Sequence, residues 1–491
     1  MSMRNAVILL AATGLALSPV ALPAQSARYL DPREVAEAQR QHAELVAEFG
    51  GAETGARSDY VQSVGRRLAA YSGIANYGAA FHYTTLNSAV ENAMAVPGGY
   101  VYVTRQLLTL MDDESQLAFA LGHETGHIAA NHHRARQSAA RRNSIQGIFG
   151  ALLGSVLGGG VGSAVAQMSQ QRAQLATLSF SREQEYQADT LATRYLVAAG
   201  YDPAGGPGVL AALGRASALQ ARVQGRTNRQ TPEWASTHPM SENRLQRALA
   251  GAQRTGRLGA GVRNRDQFLA NLEGVTVDDD PAQGIIEGRS FTHPDLRIQF
   301  AVPMGYLMQN GTRAVTIKGS GGQAQFSGGR YSGSIENYIH QVFQQVTGGR
   351  QQLMIPPPRR TVINGFPAAF TTARANTSSG VVDVSVMAYQ WDPNTIYHFI
   401  MLTRGGSGFS PFAPMVDSLR RISPAEAAAI RPRVIDVVTV QPGDTAQSLA
   451  SRMAYRDFQL DRFLTINGLA AGGRLVPGQK VKLIVYGARR T

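Results

Sequence analysis

The sequence predicts a multidomain chain: a mainly α-helical first unit with a small sheet, then an α+β domain, then a small βααβ module. Three observations predict it. At 491 residues the chain is long enough for two to four domains. Capping signals and apolar strips at helical spacing dominate to about residue 270, and strand-like alternation replaces them from 290 to 422. The last fifty residues change character again and read strand, helix, helix, strand.

Composition narrows the class. A hydrophobic content of 44% allows real cores, and a charged content of only 16% argues against wholesale disorder. The net charge of +13 comes from arginine, since lysine occurs only at 318, 480 and 482. No basic cluster is interleaved with aromatics, so nucleic acid is not an expected partner. The absence of cysteine excludes disulfides, thiolate zinc ligands and a cysteine nucleophile.

In chain order, residues 1–27 read as a cleaved signal peptide: Arg4, a short apolar run over 6–17, Pro19, then Ala24-Gln25-Ser26 as a small-x-small site. Twelve apolar residues are too few for a bilayer, which needs about 20. Export to the periplasm of a Gram-negative bacterium is the expectation. Asp31-Pro32-Arg33-Glu34 opens a helix that Gly50-Gly51 stops. A second helix covers about 59–71, and 80–86 reads as a strand. Asn92 to Gly99 leads into Tyr100-Val101-Tyr102-Val103-Thr104, a β-branched and aromatic strand. Its Pro97-Gly98-Gly99 entry suits an edge strand, which could hold an extended peptide by strand addition. Asn92, Tyr100, Val101 and Tyr102 are therefore candidate substrate-binding residues.

The chemistry is concentrated in His123-Glu124-Thr125-Gly126-His127, an HExxH run. Asp113 with Gln116 caps the helix that carries it. Leu117, Leu121 and Ile128 form an apolar strip on a different face from the histidines. Residues four apart share a helix face, so His123 and His127 can offer two imidazoles to one Zn²⁺ ion per chain. Glu124 is placed to hold a catalytic water. Residues 145–168 are apolar and uncharged, with glycine at 150, 154, 158 and 162. They read as a flexible or hairpin segment near the site, touching membrane or substrate, in preference to a membrane span.

A helix over 181–199 follows, with Ser181 and Gln184 as a capping box and Gly200 as its stop. A catalytic zinc needs a third protein ligand. The candidates are His132, His133, Glu183, Glu185 and His238. Ala130 stands where a turn-forming glycine would be needed to return His133 to the metal. The helix is therefore expected to continue and to carry His132 and His133 away. Glu185 is the better candidate, and Asp189, one turn on, is placed to orient a ligand imidazole. Ser236-Thr237-His238-Pro239 reads as a turn before a short helix that contains Arg244. Residues 275–288, with Asp278-Asp279-Asp280-Pro281, read as a linker.

These residues together resemble the zincin-type HExxH metallopeptidase family that includes the CAAX prenyl protease, HtpX and BepA. The resemblance rests on Asn92-Ala93 with Pro97-Gly98-Gly99, the HExxH run, Glu185 to Asp189, and His238-Pro239 with Arg244, and it covers about 30–265. It implies Glu185 as third zinc ligand, with His238 and Arg244 near the site. Residues 437–486 resemble a LysM module through Pro442-Gly443-Asp444-Thr445, Asn467-Gly468-Leu469 and Pro477-Gly478-Gln479. That likeness implies binding to peptidoglycan.

The expected domains are thus a signal peptide (1–27), a metallopeptidase domain (28–275), an α+β domain of unknown role (288–424) and a LysM-like module (434–488). The expected function is a periplasmic zinc endopeptidase acting on protein or peptide substrates, in envelope protein quality control. His123, His127 and Glu185 would hold the metal, Glu124 would act as base, and His238 or Arg244 would stabilise the oxyanion. Two rivals are a wall-associated chaperone or scaffold with a latent metal site, and a peptidoglycan-directed hydrolase.

Overall fold

The computed structural model describes residues 28–133, 180–223, 238, 243–347, 353–377 and 380–488. The expected leader, the 145–168 segment and the residues flanking His238 lie outside the described residues. No helix among the described residues is long and apolar enough to cross a membrane.

The first unit is built on helices α1 (Pro32–Glu48), α2 (Ala56–Ala69), α3 (Tyr77–Ala80), α4 (Arg105–Leu110) and α5 (Glu114–Ala129), then α6 (Arg182–Ala198), α7 (Gly205–Val223), α8 (Arg244–Arg254) and α9 (Arg265–Leu272). Local chemistry starts them where expected. Asp31 accepts from the Arg33 N–H ahead of Pro32, and Asp113 accepts from the Gln116 N–H. Ser181 and Gln184 form a reciprocal capping box. Such caps are worth about 1 kcal/mol each. The expected split of α5 holds, with Leu117, Leu121 and Ile128 in the apolar core and His123 and His127 in a polar cluster, although all sixteen of its residues are buried. α6 passes close to α5 at two glycines. A Cβ on Gly126 would sit 3.3 Å from Leu191 Cβ, and one on Gly122 3.5 Å from the Ala192 Cα.

Strands β1 (His82–Leu86), β2 (Ala93–Val96) and β3 (Tyr100–Thr104) form a sheet in the order β1-β3-β2. β3 pairs in parallel with β1 and antiparallel with β2. The expectation that 100–104 is an edge strand is therefore wrong. β3 is the central strand, and Tyr100, Val101 and Tyr102 are all buried. The edge on the β2 side begins at Asn92, whose carbonyl accepts from the Thr104 N–H. Asn92 is itself buried, and its Oδ1 has no hydrogen-bond partner among the described residues.

The expected linker is also structured. β4 (Thr276–Val277) joins a sheet of order β17-β16-β4 with the two module strands β16 (Arg433–Thr439) and β17 (Lys480–Tyr486). Arg105, 1% exposed, fixes this segment. Its guanidinium donates to the Thr276 and Asp278 carbonyls at 2.8 and 2.7 Å and to Asn87 Oδ1 at 2.7 Å. Each of the three aspartates is also committed. Asp278 Oδ2 accepts from Tyr455 at 2.6 Å, Asp279 Oδ2 from the Ile286 N–H at 2.9 Å, and Asp280 Oδ2 from Asn87 at 3.0 Å. Polar residues that looked like a solvated linker are hydrogen-bonded to all three units.

The α+β domain has a seven-stranded sheet of order β11-β12-β13-β14-β10-β9-β8, in which β8 spans Leu307–Asn310, β9 Val315–Gly319, β10 Gly322–Arg330, β11 Arg359–Ile363, β12 Phe366–Thr377, β13 Gly380–Asp392 and β14 Thr395–Arg404. Neighbours pair antiparallel throughout. Helix α10 (Ile335–Thr347) covers one face through Ile339 and Phe343, and the other carries a second apolar cluster around Phe300 and Phe399. The module itself contributes α13 (Ala446–Ala450) and α14 (Gln459–Ile466) between β16 and β17.

Candidate metal centre

Three segments converge on one point. The buried helix α5 supplies His123, Glu124 and His127, the first turn of α6 supplies Glu185, and His238 joins them. Donor atoms of His123, His127, Glu185 and His238 all lie within 4.8 Å of one another, and all four residues are buried. The Nε2 atoms of His123 and His127 face each other at 3.0 Å. Glu185 lies 3.5 Å from each of them and 3.0 Å from His238 Nδ1. His238 thus stands among the potential ligands themselves, closer than a group reserved for the oxyanion.

The donor set fits a divalent cation. Among the described residues at the site, the buried carboxylates Glu124, Glu185 and Asp189 face only one guanidinium, Arg244, leaving an excess of negative charge. Burial opposes ionisation of Glu185, yet His238, His123 and His127 outweigh it and hold its carboxyl far below the usual range. Burial likewise lowers the pKa of His123, but Asp189 and Glu185 overcome it and lift the imidazole to about 9. Burial, despite Glu185, keeps His127 well below its ordinary value and so neutral, the form that ligates metals. Two imidazoles and a carboxylate with an additional imidazole suit zinc, whose sites draw on nitrogen and carboxylate donors.

Around this set the supports are specific. Asp189 Oδ1 lies 2.9 Å from His123 Nδ1. Arg244 does not do what was expected. Its guanidinium makes a bidentate pair with Asp189, both contacts at 2.9 Å, and reaches Glu185 at 2.7 Å. A fork so occupied clamps two carboxylates and is not free to meet an oxyanion. Glu124 Oε2 is buried with no hydrogen-bond partner among the described residues, and its Oε1 lies 3.5 Å from His238 Nε2.

The end of α5 also departs from expectation. The helix stops at Ala129, and Asn131 adopts φ 55°, the left-handed turn that asparagine tolerates after a helix end. His132 therefore swings back to place Nδ1 2.9 Å from His127 Nδ1. Phe180, which the sequence reading passed over, stacks on His127 with ring centroids 3.6 Å apart, and His133 packs edge-on against it. Of the remaining candidates, Glu183 is exposed, and neither it nor His132 nor His133 belongs to the converging donor set.

This geometry agrees with an independent match: residues 55–252 match peptidase family M48. The unit that carries the donor set is thus similar to peptidase family M48. Residues 438–483 match the LysM domain. The beta-barrel assembly-enhancing protease of Escherichia coli K12 is 29% identical over 191 residues, which cover 38% of this chain and 37% of that protein. The protein of the same name from Yersinia pestis is similar to the same extent. The mitochondrial metalloendopeptidase OMA1 of Arabidopsis thaliana is 29% identical over 168 residues, 34% of this chain and 30% of that one. The likeness spans well under half of these relatives' own length.

Proposed function

We propose that the chain is a zinc-dependent endopeptidase of the bacterial periplasm, acting on envelope proteins, with its LysM domain directed at peptidoglycan. The observation that carries the reading is the convergence of His123, His127 and Glu185 beside Glu124, whose Oε2 has no hydrogen-bond partner among the described residues. The proteolytic names of the M48 relatives support it. The periplasmic assignment rests on the sequence of residues 1–27.

The ion, when bound, supplies Lewis acidity that activates water and polarises a carbonyl. The protein's groups do the rest. Glu124 accepts the proton of the attacking water and delivers it to the leaving amine. Burial of the site excludes competing solvent and strengthens each charge interaction. Asp189 holds His123 in register, and Arg244 balances Asp189 and Glu185. An extended peptide lies along the β2 edge, with Asn92 at its start, in place of the central strand first expected to receive it.

A second reading is favoured by His238. His238 would be a fourth protein donor, taking the place that a catalytic zinc keeps for water. The centre is then latent until His238 withdraws, and a chain locked in that state would serve as a scaffold. The test is zinc content and casein cleavage by the mature chain, residues 28–491, as wild type, Glu124→Gln, Glu185→Ala and His238→Ala. The reading expects one zinc in wild type, zinc without cleavage in Glu124→Gln, and lost zinc in Glu185→Ala. Latency expects faster cleavage in His238→Ala. Zinc with no cleavage in either wild type or His238→Ala would instead support the scaffold, and release of wall fragments would support a glycan-directed hydrolase.

A further inference from the structure

His123 and His127 both turn Nε2 inward and Nδ1 outward, but the two outer nitrogens are held differently. His123 Nδ1 faces the Asp189 carboxylate at 2.9 Å. His127 Nδ1 faces another imidazole, His132 Nδ1, at 2.9 Å. The second ring is itself held, with its Nε2 3.0 Å from Gln187 Oε1. His132 is 4% exposed, and the Gln184 side chain donates to its carbonyl at 3.3 Å. Gln184 is fixed in turn by the capping box at the start of α6. One helix thus carries the candidate ligand Glu185, the Asp189 support of His123, and Gln187, which contacts His132.

These contacts have a direction. An amide oxygen only accepts, so the contact with Gln187 puts hydrogen on His132 Nε2. His132 Nδ1 is then a bare acceptor. The hydrogen between the two rings therefore belongs to His127 Nδ1, which leaves His127 Nε2 as a lone pair facing the centre. A hydrogen bond at one ring nitrogen sets what the other can do, and a metal ligand needs that other nitrogen unprotonated. His132 cannot be a ligand in this arrangement, because its Nδ1 meets the outer side of His127 and it lies outside the converging donors.

We propose that His132 is the positioning residue that fixes the tautomer and ring orientation of His127, with Gln187 setting the direction of the hydrogen bond between the rings. The inference rests on the zinc reading above. It gives the pair Asn131-His132 a role that the HExxH run alone does not reveal.

The test measures zinc affinity of the mature chain by competition with a chromophoric chelator, and the imidazole protons of the zinc-loaded, ¹⁵N-histidine-labelled protein by NMR. The expected result for His132→Phe is zinc binding weakened about 10- to 100-fold, the usual effect of removing a ligand's hydrogen-bond partner. The His127 Nδ1 proton should change from slowly to rapidly exchanging, while the His123 proton on Asp189 stays in place. A general packing defect would not separate the two rings. Gln187 is exposed, so Gln187→Leu should fold normally and show the same changes in smaller degree. If wild type binds no zinc, the zinc reading and this inference fall together. If wild type binds zinc and a folded His132→Phe protein binds it equally well, only the inference falls. Should His132→Phe not fold, unchanged affinity and an unchanged His127 proton in Gln187→Leu overturn it.

Discussion

Lys482 Nζ donates to the carbonyl oxygen of Thr109 at 3.0 Å, across 373 residues of sequence. It also reaches the carbonyl of Met111, just past the end of α4, and Asp112 Oδ1 at 3.6 Å. A lysine in the last strand of the LysM-like module is thus fully buried against the turn that leads into α5. The apolar core is continuous across the same boundary, since Phe463, Ile466 and Leu483 belong to one cluster with Leu107, Leu117 and Phe119. The LysM-like module is built into the first unit and does not swing from a tether.

Removing residues 431–491 should therefore damage the first unit itself. Truncation strips the partners from β4 and exposes the Leu107–Leu110 side of the shared core, where each large side chain contributes about 1.5–3 kcal/mol when buried. The expected outcome is insolubility, or an unfolding temperature well below that of 28–491, by calorimetry. Equal unfolding temperatures would show that the two domains are energetically independent.

Arg244 separates two roles by stability. As a clamp, its loss leaves Asp189 and Glu185 buried and short of a counter-charge, which costs about 3–5 kcal/mol. Arg244→Met should lower the denaturation midpoint of the metal-free protein, with Arg244→Lys intermediate because it cannot make the bidentate pair. A residue that only met the oxyanion would instead reduce turnover at unchanged stability.

The β2 edge can be tested with proline. Because the Asn92 carbonyl accepts from Thr104, the alternation of an antiparallel pair turns the Ala93 and Ala95 N–H groups outward. Ala95→Pro removes one outward donor and spares the ladder to β3. The expected result is a raised KM for long peptides, about tenfold for a lost hydrogen bond of roughly 1.5 kcal/mol, with zinc content unchanged. An unaffected KM would move the substrate elsewhere.

What the sequence made legible was local. The Asp31-Pro32 start, the Ser181–Gln184 capping box, the HExxH pair and the four-residue step from Glu185 to Asp189 each depend on neighbours within one helical turn, and each lies where it was expected. What escaped depended on distant partners. Asp278 to Asp280 look like solvent-facing linker residues until Asn87, Tyr455 and the Ile286 N–H are brought to them. Arg244 gave no sign that two carboxylates would occupy it. Two misreadings did have local signals. Tyr100-Val101-Tyr102-Val103 lacks polar alternation, the pattern of a strand covered on both faces. Asn131 after Ala130 is a helix-end signal, and one left-handed residue there was enough to turn His132 back toward His127.

The α+β domain carries its own pH dependence. His398 sits on the central strand β14, 4% exposed, with Nδ1 2.9 Å from the Tyr338 hydroxyl of α10. Burial lowers its pKa to about 4 from the ordinary value of 6.5. Below pH 6.5 the unfolded chain takes up a proton that the folded chain refuses, so the unfolded state binds more protons and stability falls with pH. The loss begins near 6.5 and is complete near 4, where it reaches roughly 3 kcal/mol at about 1.36 kcal/mol per pKa unit. Denaturant midpoints followed through β-sheet circular dichroism at pH 7, 5.5 and 4 should show this decline. His398→Gln retains an acceptor for Tyr338 without a titrating ring, so its midpoint should fall less over the same window. Parallel slopes for the two proteins would assign the acid sensitivity to other groups.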